Sequence, residues 1–154
     1  MEDEASISIG PLKIWVSGRQ FPNHQDYWDG NWLNTIAICE GAGSRVKISG
    51  AFLHLSELKK WREDLQEFQR TLKGSVELQR MEPELKIKIE EKKTSDGHLK
   101  CEVEITGNHM TERHRYFLDI DQSYLPGLLS QLAAVLREFP IRDEQQQMLK
   151  TKTK

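Results

Sequence analysis

The stretch "NHQDYWDGNWL", residues 23–33, gathers acid, base and aromatic side chains into one short segment. His24, Asp26 and Asp29 offer a base and two carboxylates, and Tyr27, Trp28 and Trp32 offer an aromatic floor. Paired carboxylates beside aromatic rings suit a glycoside-type hydrolase or a small-ligand site. A structural reading competes with it. Asp29-Gly30-Asn31 has the composition of a tight turn, in which Asp and Asn side chains bond nearby backbone and Gly takes a positive φ. Trp28 and Trp32 would then pack across the turn onto a sheet, each burying a large area and donating one hydrogen bond. A partner-binding surface is the third reading. The structural turn is the expectation carried forward, with Tyr27, Trp28, Asp29, Gly30, Asn31 and Trp32 as its motif.

The other reactive residues are dispersed. His109 and His114 in "HMTERH" are five apart, which is not the i, i+4 spacing of a helical zinc pair. No cysteine or carboxylate accompanies the histidines at ligand spacing, so surface histidines and no metal are expected. "GAGS" at 41–44 joins two strand-like segments and opens no helix, so it reads as a hairpin turn and not as a phosphate cradle. No serine or cysteine sits in a nucleophile motif. The expectation is a protein with no catalytic residues and no cofactor.

The elements that must position these residues are those of a charged α+β domain. Among 154 residues, 30% are charged and 37% hydrophobic, with a formal net charge of -2. That balance supplies no global basic field for nucleic acid or anionic lipid. The acidic start "MEDEASISIG" lacks the basic and apolar regions of a signal peptide, and no apolar run approaches a membrane span. The two cysteines, Cys39 and Cys101, read as reduced thiols of a cytoplasmic protein, with a disulfide between them as the lesser alternative.

Period-two alternation marks the strands. "SISIG" and "LKIWVSGR" are separated by Gly10-Pro11. "LNTIAICEG" and "RVKISGAFLHL" form a hairpin. "SVELQRM", "ELKIKIEEKK", "HLKCEVEITG" and "RHRYFLDID" follow, with a hairpin turn at Asp96-Gly97. Two segments change period. Leu58, Trp61, Leu65, Phe68 and Leu72 fall at helical spacing after Ser56, a good N-cap, and Gly74 suits the C-terminal stop. Leu125, Leu128, Leu129, Leu132, Val135, Leu136 and Phe139 form a second stripe after Ser123, with Pro126 in the first turn and Pro140 at the end. The expected fold is α+β in the order ββββα-ββββα: a largely antiparallel sheet of about eight strands with two helices on one face. The similar helix openings, "LSEL" and "QSYL", raise the question of a duplicated half. Residues 1–140 read as one domain and 141–154 as a polar, disordered tail.

"YWDGNWL", "LHLSELKKWREDL" and "LDIDQSYLPGLLSQLAAVLREFP" together resemble the signature of the WapI-type immunity proteins, over roughly residues 7–140. The resemblance implies a small bacterial cytoplasmic protein that binds and neutralises the C-terminal domain of a contact-delivered polymorphic toxin. It implies no enzymatic activity and no catalytic residue. A turn shared across such a family is scaffold, because specificity must vary with the toxin. The partner would then meet an exposed surface elsewhere. The candidates are the charged hairpin Lys86 to Glu104 and, preferred, the loop from Gly107 to Arg115 with His109, Met110, Arg113 and His114. Expected partners are the cognate toxin domain, with no membrane or direct nucleic acid, in a monomer or small homo-oligomer. A small-ligand module or hydrolase built on residues 24–32 is the alternative.

Overall fold

The computed structural model describes residues 4–92 and 97–145. The chain runs β1 (Ile7–Ile9), β2 (Leu12–Arg19), β3 (Trp32–Glu40), β4 (Arg45–His54), α1 (Leu55–Thr71), β5 (Ser75–Glu77), β6 (Leu85–Glu91), β7 (His98–Ile105), β8 (Arg115–Asp121) and α2 (Tyr124–Glu138). This is the α+β order ββββαββββα. The eight strands divide into two antiparallel four-stranded meanders, β1-β2-β3-β4 and β5-β6-β7-β8. The division falls where α1 interrupts the chain, so β4 and β5 never pair.

Alternation explains each sheet. Leu12, Ile14, Leu33, Ala37, Cys39, Val46 and Ile48 of the first are buried, as are Leu85, Ile87, Ile89, Leu99, Cys101, Val103 and Ile105 of the second. Both sets join one core cluster with the apolar stripes of both helices. Helix α1 packs against α2, β4 and β5, and α2 against α1, β1 and β8. Each helix thus touches the last strand of its own half and the first strand of the other. Cys39 and Cys101 are both buried and free. Burial pushes their thiols up, to about 11 and about 12, so neither is a ready nucleophile.

Three caps differ from the sequence expectation. The N-cap of α1 is His54, not Ser56: its ring accepts from the Ser56 N–H, and its own N–H donates to Glu57, closing a capping box. Leu72, at φ 53°, takes the left-handed C-cap ahead of Gly74. Ser123 occupies the N-cap of α2 but does not cap it; its N–H and hydroxyl both donate back to Asp121. Asp96 lies outside the described residues, while Gly97 has the positive φ, 78°, expected of that turn.

Candidate functional site

The long connection between β2 and β3 holds the aromatic–acidic segment and closes in a turn over residues 26–31. Asp26 starts it: its carboxylate accepts from the Asp29 N–H (2.9 Å), and its carbonyl from the Gly30 N–H (3.1 Å). The Asp29 N–H holds the Asp26 carboxyl below the usual carboxylate range. Asp26 is therefore ionised at neutral pH and is not suited to be a general acid. Gly30 does not have the expected positive φ. Its role is close approach, because a Cβ there would stand 2.4 Å from the His24 carbonyl oxygen and 2.5 Å from that of Asp26.

The turn's other polar groups point into the protein. Asn31 is fully buried. Its Nδ2 donates to the carbonyls of Tyr27 (2.8 Å) and Arg142 (2.9 Å), while its Oδ1 accepts from the Arg142 N–H (2.8 Å) and Arg19 Nη1 (3.2 Å). One side-chain amide thus pairs with the backbone of Arg142 as a neighbouring strand would. Arg19 also donates to the carbonyls of Gly30 (2.8 Å) and Pro140 (2.5 Å). Arg142 Nη1 donates to the carbonyls of Pro22 and His24, both at 2.7 Å. The segment after α2 is therefore strapped onto the turn, although residues from 141 onward read as a solvated tail. Ile141 packs against the core, and Glu144 pairs with Lys59 at 3.0 Å. Residues 146–154 lie outside the described residues.

His54, expected among the surface histidines, is instead fully buried at the centre of the aromatic cluster. The rings of Tyr27, Trp28 and Trp32 stand 5.3, 6.3 and 5.0 Å from its own. Its Nε2 faces the carbonyls of Tyr27 (3.1 Å) and Trp28 (3.3 Å). Carbonyls only accept, so Nε2 carries the proton and Nδ1 is left to accept from Ser56. Burial holds the ring below its ordinary pKa, which favours this neutral form. Tyr27 is buried, whereas Trp28 and Trp32 are only half-buried. The deep part of the motif is thus Tyr27, Gly30, Asn31 and His54, and not the tryptophan pair. His54, Arg19 and Arg142 were missed in the sequence. The one signal for His54 was Glu57 three residues later.

A cleft of about 400 Å³ beside the turn is lined by Tyr27, Ser56, Glu57, Lys59 and Ile141, among others. Burial raises the Glu57 pKa. Both its oxygens are nevertheless committed, to the N–H groups of His54 (2.9 Å) and Met81 (2.5 Å). At the outer edge, His24, Asp26 and Asp29 bring one ligand atom each within 4.8 Å of one another. The Asp26 carboxylate already caps the turn, and the guanidinium of Arg142 is bound to the His24 backbone, which weakens the case for a cation there.

The second candidate region lies between β7 and β8. His109, Arg113 and His114 line a shallow cleft of about 260 Å³ with Glu104, Thr106 and Arg115. His109 Nε2 is 3.0 Å from the Pro83 carbonyl, and the His114 N–H donates to Thr106 Oγ1 at 3.0 Å. Asn108 shapes the loop through bonds to Met110, Thr111 and Glu112. Met110 is 92% exposed. The structure thus brings three of the four expected contact residues together and leaves Met110 standing clear of the surface.

The buried bonds of Asn31 and His54 tie this segment to the start of α1 and to the exit from α2. The chain belongs to the WapI-like immunity protein family, whose model matches residues 5–140. No curated protein and no solved structure shows significant similarity to it. Among the described residues no helix is long and apolar enough to cross a membrane.

Proposed function

We propose that this chain is a non-enzymatic antidote, which binds the C-terminal toxin domain of a cognate polymorphic toxin in the bacterial cytoplasm and neutralises it stoichiometrically. The observation that carries the reading is the family match across residues 5–140. The site geometry supports it, since the polar groups of Asp26, Asn31, His54 and Glu57 are engaged in structural hydrogen bonds. The loop from Gly107 to Arg115 is one proposed contact: Met110 offers an exposed apolar anchor and Arg113 an exposed cation. The test is co-purification and titration with the toxin domain encoded beside this gene, together with rescue of cells expressing that toxin. A one-to-one complex with rescue is expected. Rescue without a complex would refute neutralisation by binding.

A second reading rests on the convergence of His24, Asp26 and Asp29. It makes this edge a metal or hydrolytic site. Elemental analysis of the purified chain decides against it if no stoichiometric metal is retained. Turnover abolished in folded Asp26→Asn and Asp29→Asn would establish it.

A further inference from the structure

The two sheets present very different faces to solvent. On the second, the outward cations are matched by acids. Lys86 stands near Glu77 and Glu104, Lys88 and Lys100 near Glu90, and Arg115 near Glu102 and Glu104. That face is neutralised within itself.

The outer face of the first sheet is not. Its register sets Lys13 opposite Ile38 and Trp15 opposite Ile36 on one side. On the other, Ile36 faces Ser49, Ile38 faces Lys47 and Glu40 faces Arg45. An apolar strip, Trp15–Ile36–Ile38, therefore runs down the centre with Lys13 and Lys47 flanking Ile38. Ile36 is 36% exposed, Trp15 half-buried and Ile38 buried at 8% between the two exposed lysines, so the accessible apolar surface is that of Trp15 and Ile36. At one end, Trp15, Ile38, Lys13 and Arg45 line a depression of about 300 Å³. Among the described residues the one acid on the face, Glu40, is bound to Arg45 at 3.0 Å. Among the described residues, Lys13 and Lys47 form no ion pair. The core already occupies the inner face, and α1 and α2 join that core from β4 and β5 and from β1 and β8.

Resting on the antidote reading, we infer that the outer face of β2-β3-β4 docks an acidic protein surface, an apolar projection ringed by carboxylates on the toxin domain. Charge selects this occupant. The face carries three cations against one acid on a chain whose net charge is -2, so the sign is local and not a consequence of composition. Unpaired lysines around an apolar strip steer and orient a partner of opposite sign, while the strip supplies the desolvated contact. A second copy of this chain fits poorly, since a two-fold pairing would set Lys13 and Lys47 against like charges. Nucleic acid fits poorly too, because a phosphate backbone calls for more cations and stacked bases for more aromatics than one Trp. The competing explanation is that Trp15 and Ile36 stabilise the sheet as a cross-strand pair while the lysine stems cover Ile38; it predicts that reversing both lysine charges leaves binding unchanged.

The test uses the full chain and the purified toxin domain encoded beside its gene, titrated by calorimetry at two salt concentrations. Lys13→Glu combined with Lys47→Glu leaves the Trp15–Ile36 pair intact. It is expected to weaken binding at least tenfold, to reduce the salt dependence, and to leave Tm unchanged. Ile36→Ser is expected to weaken binding as well, with a small loss of Tm. Wild-type affinity in both folded variants, with wild type binding normally, overturns this interface while the antidote reading stands. No binding by wild type overturns both. A single-stranded oligonucleotide bound by wild type and released by the lysine variant, or a wild-type dimer dispersed by Ile36→Ser, would instead assign the face to nucleic acid or to self-association and overturn the inference.

Discussion

Asn31→Ala is the sharpest probe of the scaffold. Its side chain is fully buried and makes four hydrogen bonds, three to backbone groups and one to Arg19. Each such bond contributes roughly 1 kcal/mol net, and buried groups left without partners cost more. Arg142 is half-buried, so water relieves part of its loss. The expected destabilisation is about 3 kcal/mol, or about 6–12 °C in Tm for a chain of this length. Urea unfolding with matched m-values measures it. Two of the four bonds go to the backbone of Arg142. In a chain ending after Pro140 the same substitution should therefore cost about 1–2 kcal/mol less, the signature of coupled sites. Asn31→Asp supplies a control: it keeps the acceptor but turns a carboxylate oxygen toward the Tyr27 and Arg142 carbonyls, so it should destabilise at neutral pH and recover partly on acidification. A loss below about 1 kcal/mol, or an equal loss with and without residues 141–154, would refute the strap.

Gly30→Ala should destabilise by about 3 kcal/mol through collision of its Cβ with two backbone carbonyls, although its φ is ordinary; thermal melts check this. Trp32→Ala should cost about 2 kcal/mol, less than a fully buried aromatic, because the ring is half-exposed; chemical denaturation reads it. His54 has its folded pKa depressed below 6.5 by burial, so as pH falls below that value the unfolded chain takes a proton that the folded chain refuses. Its contribution is present above 6.5 and is lost on acidification, at up to about 1.4 kcal/mol per pH unit, and His54→Gln should flatten the slope of stability between about pH 7 and 5. Glu57, raised by burial, acts with the opposite sign just above 4.5 and is common to both proteins, so the difference isolates His54. Arg113→Glu should weaken toxin binding about tenfold with unchanged Tm, roughly 1.4 kcal/mol, and intact affinity would remove the loop from the interface.

The strands and helices were legible because alternation and helical spacing are local. "LKIWVSGR" and "ELKIKIEEKK" declare their buried faces, and the strands observed at Leu12–Arg19 and Leu85–Glu91 follow them. Alternation tells which side chains turn inward but not which strand lies alongside, so the split into two sheets was invisible. The turn over residues 26–31 was legible from its Asp, Gly and Asn, but the reason for its glycine was not. Positive φ is a local property, whereas close approach of the His24 and Asp26 carbonyls depends on the path of the whole loop. His54 was hidden for a related reason: serine is the better cap by composition, and only burial among Tyr27, Trp28 and Trp32 makes an imidazole useful there. Arg142 engages Asn31 through its backbone, and no side-chain pattern encodes that.

The distribution of roles has a consequence for how such a protein can change partners. The segment richest in reactive side chains ties the β2–β3 connection, the start of α1 and the exit from α2 together at Asn31 and His54. Those bonds converge in the interior, so altering them costs the fold before it alters any surface. The outward positions of β2, β3 and β4, and the loop between β7 and β8, carry little of that burden. A charge reversal at Lys13 or Arg113 breaks no ion pair that a strand needs, and surface substitutions of this kind typically shift stability by no more than about 0.5 kcal/mol. If the proposed contacts hold, partner choice can change at those positions while the aromatic turn stays fixed. A binding protein matched to varying partners calls for that separation, whereas an enzyme would concentrate its constraint at the reactive groups themselves.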